Sequence, residues 1–561
     1  MSEKSFISSL LSRLSASKNR RLKRAARRSA QPAEQLEARE LLSAITVDAL
    51  HDVTDANDGE TTLREAVAIA NQDPATLDTI TFVESFDFDV VRLTQGQLTL
   101  SGNIVIDASA NGLMRINQDH AARRVIGVSA GADVELRNVV VQGGRVYGNA
   151  NEAAGAGIRN EGTLTLEGSI VGQNSLFHDS LPGRNVLFTG GAGIYNAPGA
   201  SLALNRSSVG AVRLDVDSLD GLGIDPGRFI EEGDGTNTPY LVRPNYSEGI
   251  GGGVFNEGQM TLVDSSIEQN QAIFGGGGIY NAGDAQLTNT TVAENDSGRN
   301  LVWRGENAAR EVGHNGGGIV NAERVPVRYY GDRPNSFVPY SYQFEYRDTD
   351  YTGAPSLELI RSIVSDHDTQ FGAGIFNESA DLSLVQSTIS NNTTQDERQL
   401  ADNTFGVISG LHGGGGVFVA SGDVHIEATT FSNNASHSIG GGIAATDDRE
   451  VYIESSTFSG NHADRGGAIY VNSFADSVGR PLTVVHSTIT NNTADQGGGI
   501  WVRQAGRETI IGSIVAGNTA SAFANIAADE GIVRSGGWNL IGAVDSGEFV
   551  RQSSDLSLIH I

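Results

Sequence analysis

No cysteine occurs anywhere in the chain. Disulfide staples, thiolate metal sites and cysteine nucleophiles are thereby excluded, and this usage fits a bacterial exported protein. Aromatic residues are few, at 6%, and hydrophobic residues reach only 39%. That level suits a thin core repeated many times rather than one large globular interior. No apolar run approaches the ~18 residues a membrane-spanning helix needs. Positive charge is scarce beyond the start of the chain. Residues 1–30 hold nine Lys/Arg against Glu3, a balance of +8, so residues 31–561 carry −36 to reach the formal −28. Such an acidic body argues against a nucleic-acid partner. The basic run from Lys18 to Arg28 reads as a targeting segment outside the fold, although its apolar stretch, Phe6–Leu14, is short and broken by Arg13.

What the chain has in abundance is glycine, 70 residues, and it is placed periodically. The phrase Gly-Gly-Gly-Ile-Tyr-Asn and its variants put an aliphatic residue at Ile158, Ile194, Val254, Ile279, Ile319, Ile375, Val417, Ile443, Ile469 and Ile500. Steps of 25 (Val254 to Ile279) and 26 (Val417 to Ile443, Ile443 to Ile469) set the unit, and steps of 60 and 56 are the same unit carrying inserts. Within a unit the apolar runs are two to five residues long and bounded by Gly, Asn, Asp and Ser, which predicts short strands and no helix. Three such strands per turn predict an all-β fold, a right-handed parallel β-helix whose rungs stack about 4.8 Å apart. The aliphatic series then forms an interior ladder. Asn160, Asn196, Asn256, Asn281, Asn321 and Asn377 form an amide ladder, and Asn174, Asn270, Asn295, Asn392, Asn434, Asn461, Asn492 and Asn518 mark another corner. Glycine before each aliphatic residue suits a bend with positive φ or a tight backbone approach.

The expected organisation is a leader over 1–44, a cap region over 45–97 with a helix near 62–71, and a β-helix over 98–555. Inserts fall at 175–189, 210–249, 296–315, 322–356 and 393–412. In the cap, Thr62-x-x-Glu65 is a capping box, and Leu63, Ala66, Val67 and Ala70 share one helical face. Arg64 and Glu65 read as capping and surface charges. Residues 556–561 (Leu-Ser-Leu-Ile-His-Ile) coincide with the translation of CTGTCTCTTATACACATC, the end of a transposon-based sequencing adapter. On that reading they are artefact and the natural chain continues.

Three segments resemble known families. Leu36-Glu-Ala-Arg-Glu-Leu-Leu-Ser-Ala44 resembles the LEPR-XLL motif of planctomycete-type exported proteins, with Ala38 where that motif has proline. Ile45–Asp48 followed by Asp55–Asn71 is similar to the CSLREA domain, with Thr61-Thr62 in place of Cys-Ser. The repeats over roughly 130–545 resemble choice-of-anchor Q and polymorphic-outer-membrane-protein β-helices. These resemblances imply export and placement at the cell surface or outside the cell, and the function expected of the whole is a non-catalytic β-helix scaffold, adhesin-like or contacting matrix or glycan.

For chemistry, the candidates are Ser365-Asp366-His367-Asp368 and Asp447-Asp448, both at turns where aspartate is common. A polysaccharide lyase or glycoside hydrolase of the β-helix type, the alternative function, needs convergent carboxylates with a basic partner. No catalytic, metal or cofactor site is expected. Inserts at one point of the turn emerge on one side of a solenoid, a common binding side. The insert 322–356 leaves from a different corner and concentrates six of the chain's 13 tyrosines within 23 residues. Tyr329, Tyr330, Tyr340, Tyr342 and Tyr346 are the candidate ligand-binding residues, since exposed tyrosines stack on sugar rings and donate hydrogen bonds. The competing reading is a β-hairpin packing its own aromatics on the solenoid wall.

Overall fold

Strands form at the alternating stretches, and each pairs with its counterpart one turn before and one turn after. The computed structural model describes residues 43–557 apart from 56, 87–88, 149–153, 178–185, 188–189, 214–239, 298–315, 332–341, 349–352, 370–371, 395–412, 447–449, 473–481, 504–507, 530–531 and 544–548. These residues belong to one unit, Ser43–Ile561. The expected leader up to residue 42, most of the inserts at 175–189, 210–249, 296–315 and 393–412, part of that at 322–356, and Asp447 and Asp448 lie outside the described residues, as does Tyr340.

One turn runs through Val254–Asn256 in sheet 1, Gln259–Val263 in sheet 2, Ser266–Glu268 in sheet 3 and Gln271–Ala272 in sheet 4. The next repeats it with Ile279–Asn281, Asp284–Thr288, Thr291–Ala293 and Asp296–Ser297. Among the described residues sheets 1, 2 and 3 contain 13, 16 and 15 strands, all parallel and stacked in chain order. This is a parallel β-helix. A turn holds four strands rather than the three visible in the sequence. The fourth is two to four residues long, too short to display clear alternation. Sheet 4 has seven strands and then three, linked where Ala435 bridges Thr393 and His462.

The aliphatic series is one register position throughout: Ile158, Ile194, Val254, Ile279, Ile319 and Ile375 pair in succession. All of them are fully buried in the main core. Sheet 2 follows the pleat, with Met260 and Leu262 inside and Gln259 and Thr261 outside. Gly276, three residues before Ile279, has φ +59°, and a Cβ there would lie 2.4 Å from the Ile279 carbonyl oxygen. Only glycine fits that bend.

The two corners flanking sheet 3 are each built from one left-handed residue followed by one buried polar residue. Between sheets 2 and 3 the pair is Asp264 (φ 51°) and Ser265; between sheets 3 and 4 it is Gln269 (φ 57°) and Asn270. The hydroxyls at the first corner form a ladder absent from the sequence reading: the Ser207 N–H donates to Ser265 Oγ, Ser362 N–H to Ser387 Oγ and Ser456 N–H to Ser487 Oγ. Several left-handed positions carry side chains that prefer other conformations, among them exposed Ala428 at φ 49°. Ala428→Gly is expected to stabilise the protein by about 1 kcal/mol, because glycine adopts that conformation without the Cβ clash. A urea midpoint that fails to rise would refute this account of the corner.

The middle residue of the glycine phrase faces outward yet is also buried. Tyr195 and Phe255 are tilted at 5.2 Å, while Phe376 and Phe418 stack at 5.4 Å and Tyr470 and Trp501 at 5.0 Å. With Ile250, Val320 and Ile439 they make a second apolar layer over sheet 1.

Helix α1, Leu63–Ala70, begins on Thr62 with both halves of the capping box formed, and Leu63, Ala66, Val67 and Ala70 join the main core. Arg64 and Glu65 are not surface charges. Glu65 is buried and accepts the N–H groups of Thr62 and Asp55. The Arg64 guanidinium grips buried Asp52 through two hydrogen bonds of 2.6 and 3.1 Å and reaches the carbonyls of Gly96 and Gln97. Burial alone would raise the Asp52 pKa, but Arg64 and the N–H groups of Gln95 and Thr94 outweigh it and hold the carboxyl below its usual range. The sequence pattern shows which residues face the helix's own core, not what the opposite face meets.

Candidate functional site

Two strands, Arg324–Gly331 and Tyr342–Asp348, pair antiparallel within the tyrosine-rich insert. Tyr329 stands opposite Phe344, Tyr330 opposite Gln343, and Tyr346 opposite Pro326, with a register shift between Pro326 and Arg328. Tyr329, Tyr330, Tyr342 and Tyr346 therefore share one hairpin, whereas Tyr340 lies outside the described residues. A third strand, Val186–Leu187, pairs with Arg328 and Tyr329. It comes from the insert at 175–189, so two inserts that part at different corners meet again as one antiparallel sheet. Nothing in the one-dimensional spacing carries that contact.

The Ser365–Asp368 candidate comes apart. Asp366 is a left-handed corner residue, φ 61°, exposed and bonded to the Asn391 amide. His367 points inward, 1% exposed, at the place an asparagine holds in neighbouring turns. Asn295 N–H donates to its Nδ1, and Nε2 lies 3.0 Å from the Val292 carbonyl. Asp368 returns to the outside in sheet 4, in register with Asp296. One turn separates these groups onto three faces, so the triplet makes a corner and not an acid–base centre. The second asparagine ladder runs on both sides of it, and the reading by spacing missed Asn245, which sits inside an insert and bonds both Asn174 and Asn270.

Sheet 4 gathers the features that face outward. Three of its strands place aromatic rings side by side: Tyr147 and Phe177 stack at 4.9 Å and 19°, and Phe177 and Tyr246 are tilted at 6.0 Å. Tyr147 is 50% exposed. Burial and the neighbouring Glu248 carboxylate raise the Tyr246 pKa, keeping its hydroxyl protonated as a hydrogen-bond donor. The inserts join the fold here, after Ser175–Phe177, Asp296–Ser297 and Thr393–Thr394 and before Tyr246–Ser247. Farther along, the strands His462–Arg465 and Thr493–Gln496 pair in parallel and border a cleft of about 300 Å³ lined by Ser438, Ile439, Asp464, Arg465, Asp495 and Gln496. Single residues from separate turns build both features, so no local motif announces either.

Among the described residues one group of three potential metal ligands comes within 4.8 Å, His51, Asp58 and Glu60. It is exposed in the loop before α1, and Asp58 Oδ1 already accepts the Glu60 N–H. No described helix is long and apolar enough to cross a membrane.

Residues 352–527 match the family model described as the right-handed beta helix region. Among solved structures the chain is similar to one titled "Crystal structure of pectate lyase Pel9A", at 12% identity, over 72% of this chain and 78% of that one, with a TM-score of 0.33. That likeness is too loose to bear on activity. None of the curated proteins compared matches the chain. The stacked parallel sheets and the matching segment together identify a right-handed parallel β-helix domain in this chain.

Proposed function

We propose that the protein is a non-catalytic exported scaffold, held at the cell surface or outside the cell, whose sheet 4 side contacts glycans or a surface protein in an adhesin-like manner. The ladder of half-exposed Tyr147 with the partly buried Phe177 and Tyr246 carries this reading. Flat rings presented at the spacing of the rungs suit a sugar chain lying along the stack, since aromatic faces take up C–H surface while the tyrosine hydroxyls bond outward. The hairpin with Tyr329, Tyr330, Tyr342 and Tyr346, together with Tyr340, is proposed as a second part of the same binding side.

Retention on immobilised polysaccharides tests it. The full chain is expected to be retained by at least one insoluble glycan, Tyr147→Ala to weaken retention several-fold, and removal of 326–352 to weaken it further. Retention unchanged by both alterations would sink the assignment of the binding side. Release of unsaturated uronates or new reducing ends from the same glycans would instead favour a lyase or hydrolase of the β-helix type.

A further inference from the structure

The antiparallel sheet that the two inserts build together ends on the strand Tyr342–Asp348, which pairs with Arg324–Gly331 along one side. Among the described residues no strand lies along its other side. A free edge is a template for another strand, and proteins ordinarily guard one with proline, lysine, a bulge or very short length. This edge has none of those guards: its seven residues read Tyr-Gln-Phe-Glu-Tyr-Arg-Asp, with an aromatic residue at every second place as far as Tyr346. The proline and the register shift fall on the inner strand instead, at Pro326 and between Pro326 and Arg328. Pro326 stands opposite Tyr346 and brings no N–H to the ladder, which suits a non-hydrogen-bonded pair. In such a pair the N–H and C=O of Tyr346 are directed to the free edge.

We infer that a second copy of this chain pairs with that edge, antiparallel and centred on Tyr346, joining two three-stranded sheets into one of six strands. A two-fold axis between antiparallel strands sets one residue opposite itself. Charge selects which residue that is. Centred on Tyr346, Glu345 stands opposite Arg347 of the second copy and Arg347 opposite its Glu345, giving two opposite-charge pairs. Centred on Glu345, the two glutamates would face each other; centred on Phe344, Glu345 would meet Gln343 and neither charge would be paired. Only the Tyr346 register agrees with both the charges and the backbone groups that Pro326 leaves directed outward. A second copy always supplies the matching charge order, which an unrelated strand would have to reproduce. The pairing goes beyond glycan contact and does not rest on it, although a dimer carrying two binding sides would hold an extended ligand more tightly than one copy.

Sedimentation velocity of the full chain over a hundredfold range of concentration tests the pairing, and a dimer that grows with concentration is expected. Arg347→Glu sets glutamate opposite glutamate at both pairs, and Glu345→Arg sets arginine opposite arginine. Each variant alone is expected to associate at least tenfold more weakly, and an equal mixture of the two should recover the parent's dimer, since both opposite-charge pairs then re-form. Glu345 also stands opposite Arg328 within the hairpin, so the register is read a second way. The chain has no cysteine. Tyr346→Cys places a thiol on the two-fold axis, where Cα atoms about 5.5 Å apart suit a disulfide. Gln343→Cys lies three residues off the axis, about 20 Å from its counterpart. Mild oxidation should cross-link the first variant and not the second. Equal cross-linking of both, or a dimer that the charge variants leave unchanged, overturns the assignment. A parent that stays monomeric throughout overturns it too, and leaves the edge to a strand of another protein.

Discussion

Replacing Asn281 by leucine is expected to lower stability by about 3–5 kcal/mol. The side chain is fully buried in mid-ladder. Its Oδ1 accepts from Asn256 Nδ2 at 2.7 Å, and its Nδ2 donates to Asn321 Oδ1 and to the carbonyls of Gly283 and Ser356. Leucine has a similar reach and no polar atom, so it leaves an acceptor on Asn321 and two carbonyls without this donor. Each costs about 1–3 kcal/mol in a buried site, partly relieved because Asn256 keeps longer bonds to Gly258 and Asp284. The natural end of the ladder supplies a contrast. Asn377 is paired in register with Val419, and its amide turns to the carbonyls of Ala380 and Ser421. Asn377→Leu should therefore cost clearly less than Asn281→Leu, and exposed Thr261→Leu should stay within about 0.5 kcal/mol. Because turns of a solenoid contact only their neighbours, the Asn281 variant should also split the unfolding transition or raise hydrogen exchange locally near turns 254–360. Equal costs for Asn281 and Asn377 would show that the ladder bonds are not what holds the corner.

Acid should act on the protein through His367. Burial pushes its pKa down to about 4, against the opposing pull of the Asn295 and Val292 carbonyls and the Asp366 and Glu294 carboxylates. The neutral ring fits its place, accepting from Asn295 N–H at Nδ1 and donating from Nε2 to Val292. An imidazolium would have no acceptor to offer Asn295. The folded pKa thus lies below the unfolded value of about 6.5, and the unfolded chain binds the extra proton first. Stability conferred by the neutral ring is complete above pH ~6.5, falls as the pH drops through the window to about 4, and levels off below it. The loss amounts to something on the order of 3 kcal/mol. His367→Asn restores the residue that neighbouring turns use and removes this titration. The stability difference between variant and parent, followed from pH 7 to pH 4, should shift toward the variant by about that amount; a constant difference would mean His367 does not titrate on unfolding.

The two residues also show how far a sequence can be read. Asn281 was legible because it recurs: one residue type at one offset from Ile279 implies stacking, and stacking implies a buried amide ladder. His367 was legible only as an isolated histidine between two aspartates, which reads as a solvated turn residue ahead of a metal or acid–base group, and neither reading predicts its burial. Its partners, Asn295 and Val292, are more than seventy residues away and come beneath it only when the intervening insert is looped out. The corner hydroxyl ladder was hidden for a milder reason. Serine and threonine are common near turns, so a Ser/Thr recurring in each unit does not by itself imply a hydrogen-bonded ladder.

Repetition therefore determined the architecture from sequence alone: glycine for the bend, an aliphatic residue for the interior and asparagine for the ladder are each dictated by local sterics and by contact with the same position one turn away. The tertiary structure decided everything that one turn contributes only singly. It placed a fourth sheet of two- to four-residue strands, brought Val186 beside Tyr329, and lined up Tyr147, Phe177 and Tyr246. Such groupings draw single residues from turns spaced unequally by the inserts, and their alignment follows from backbone hydrogen bonding between rungs, which leaves no period in the sequence to read.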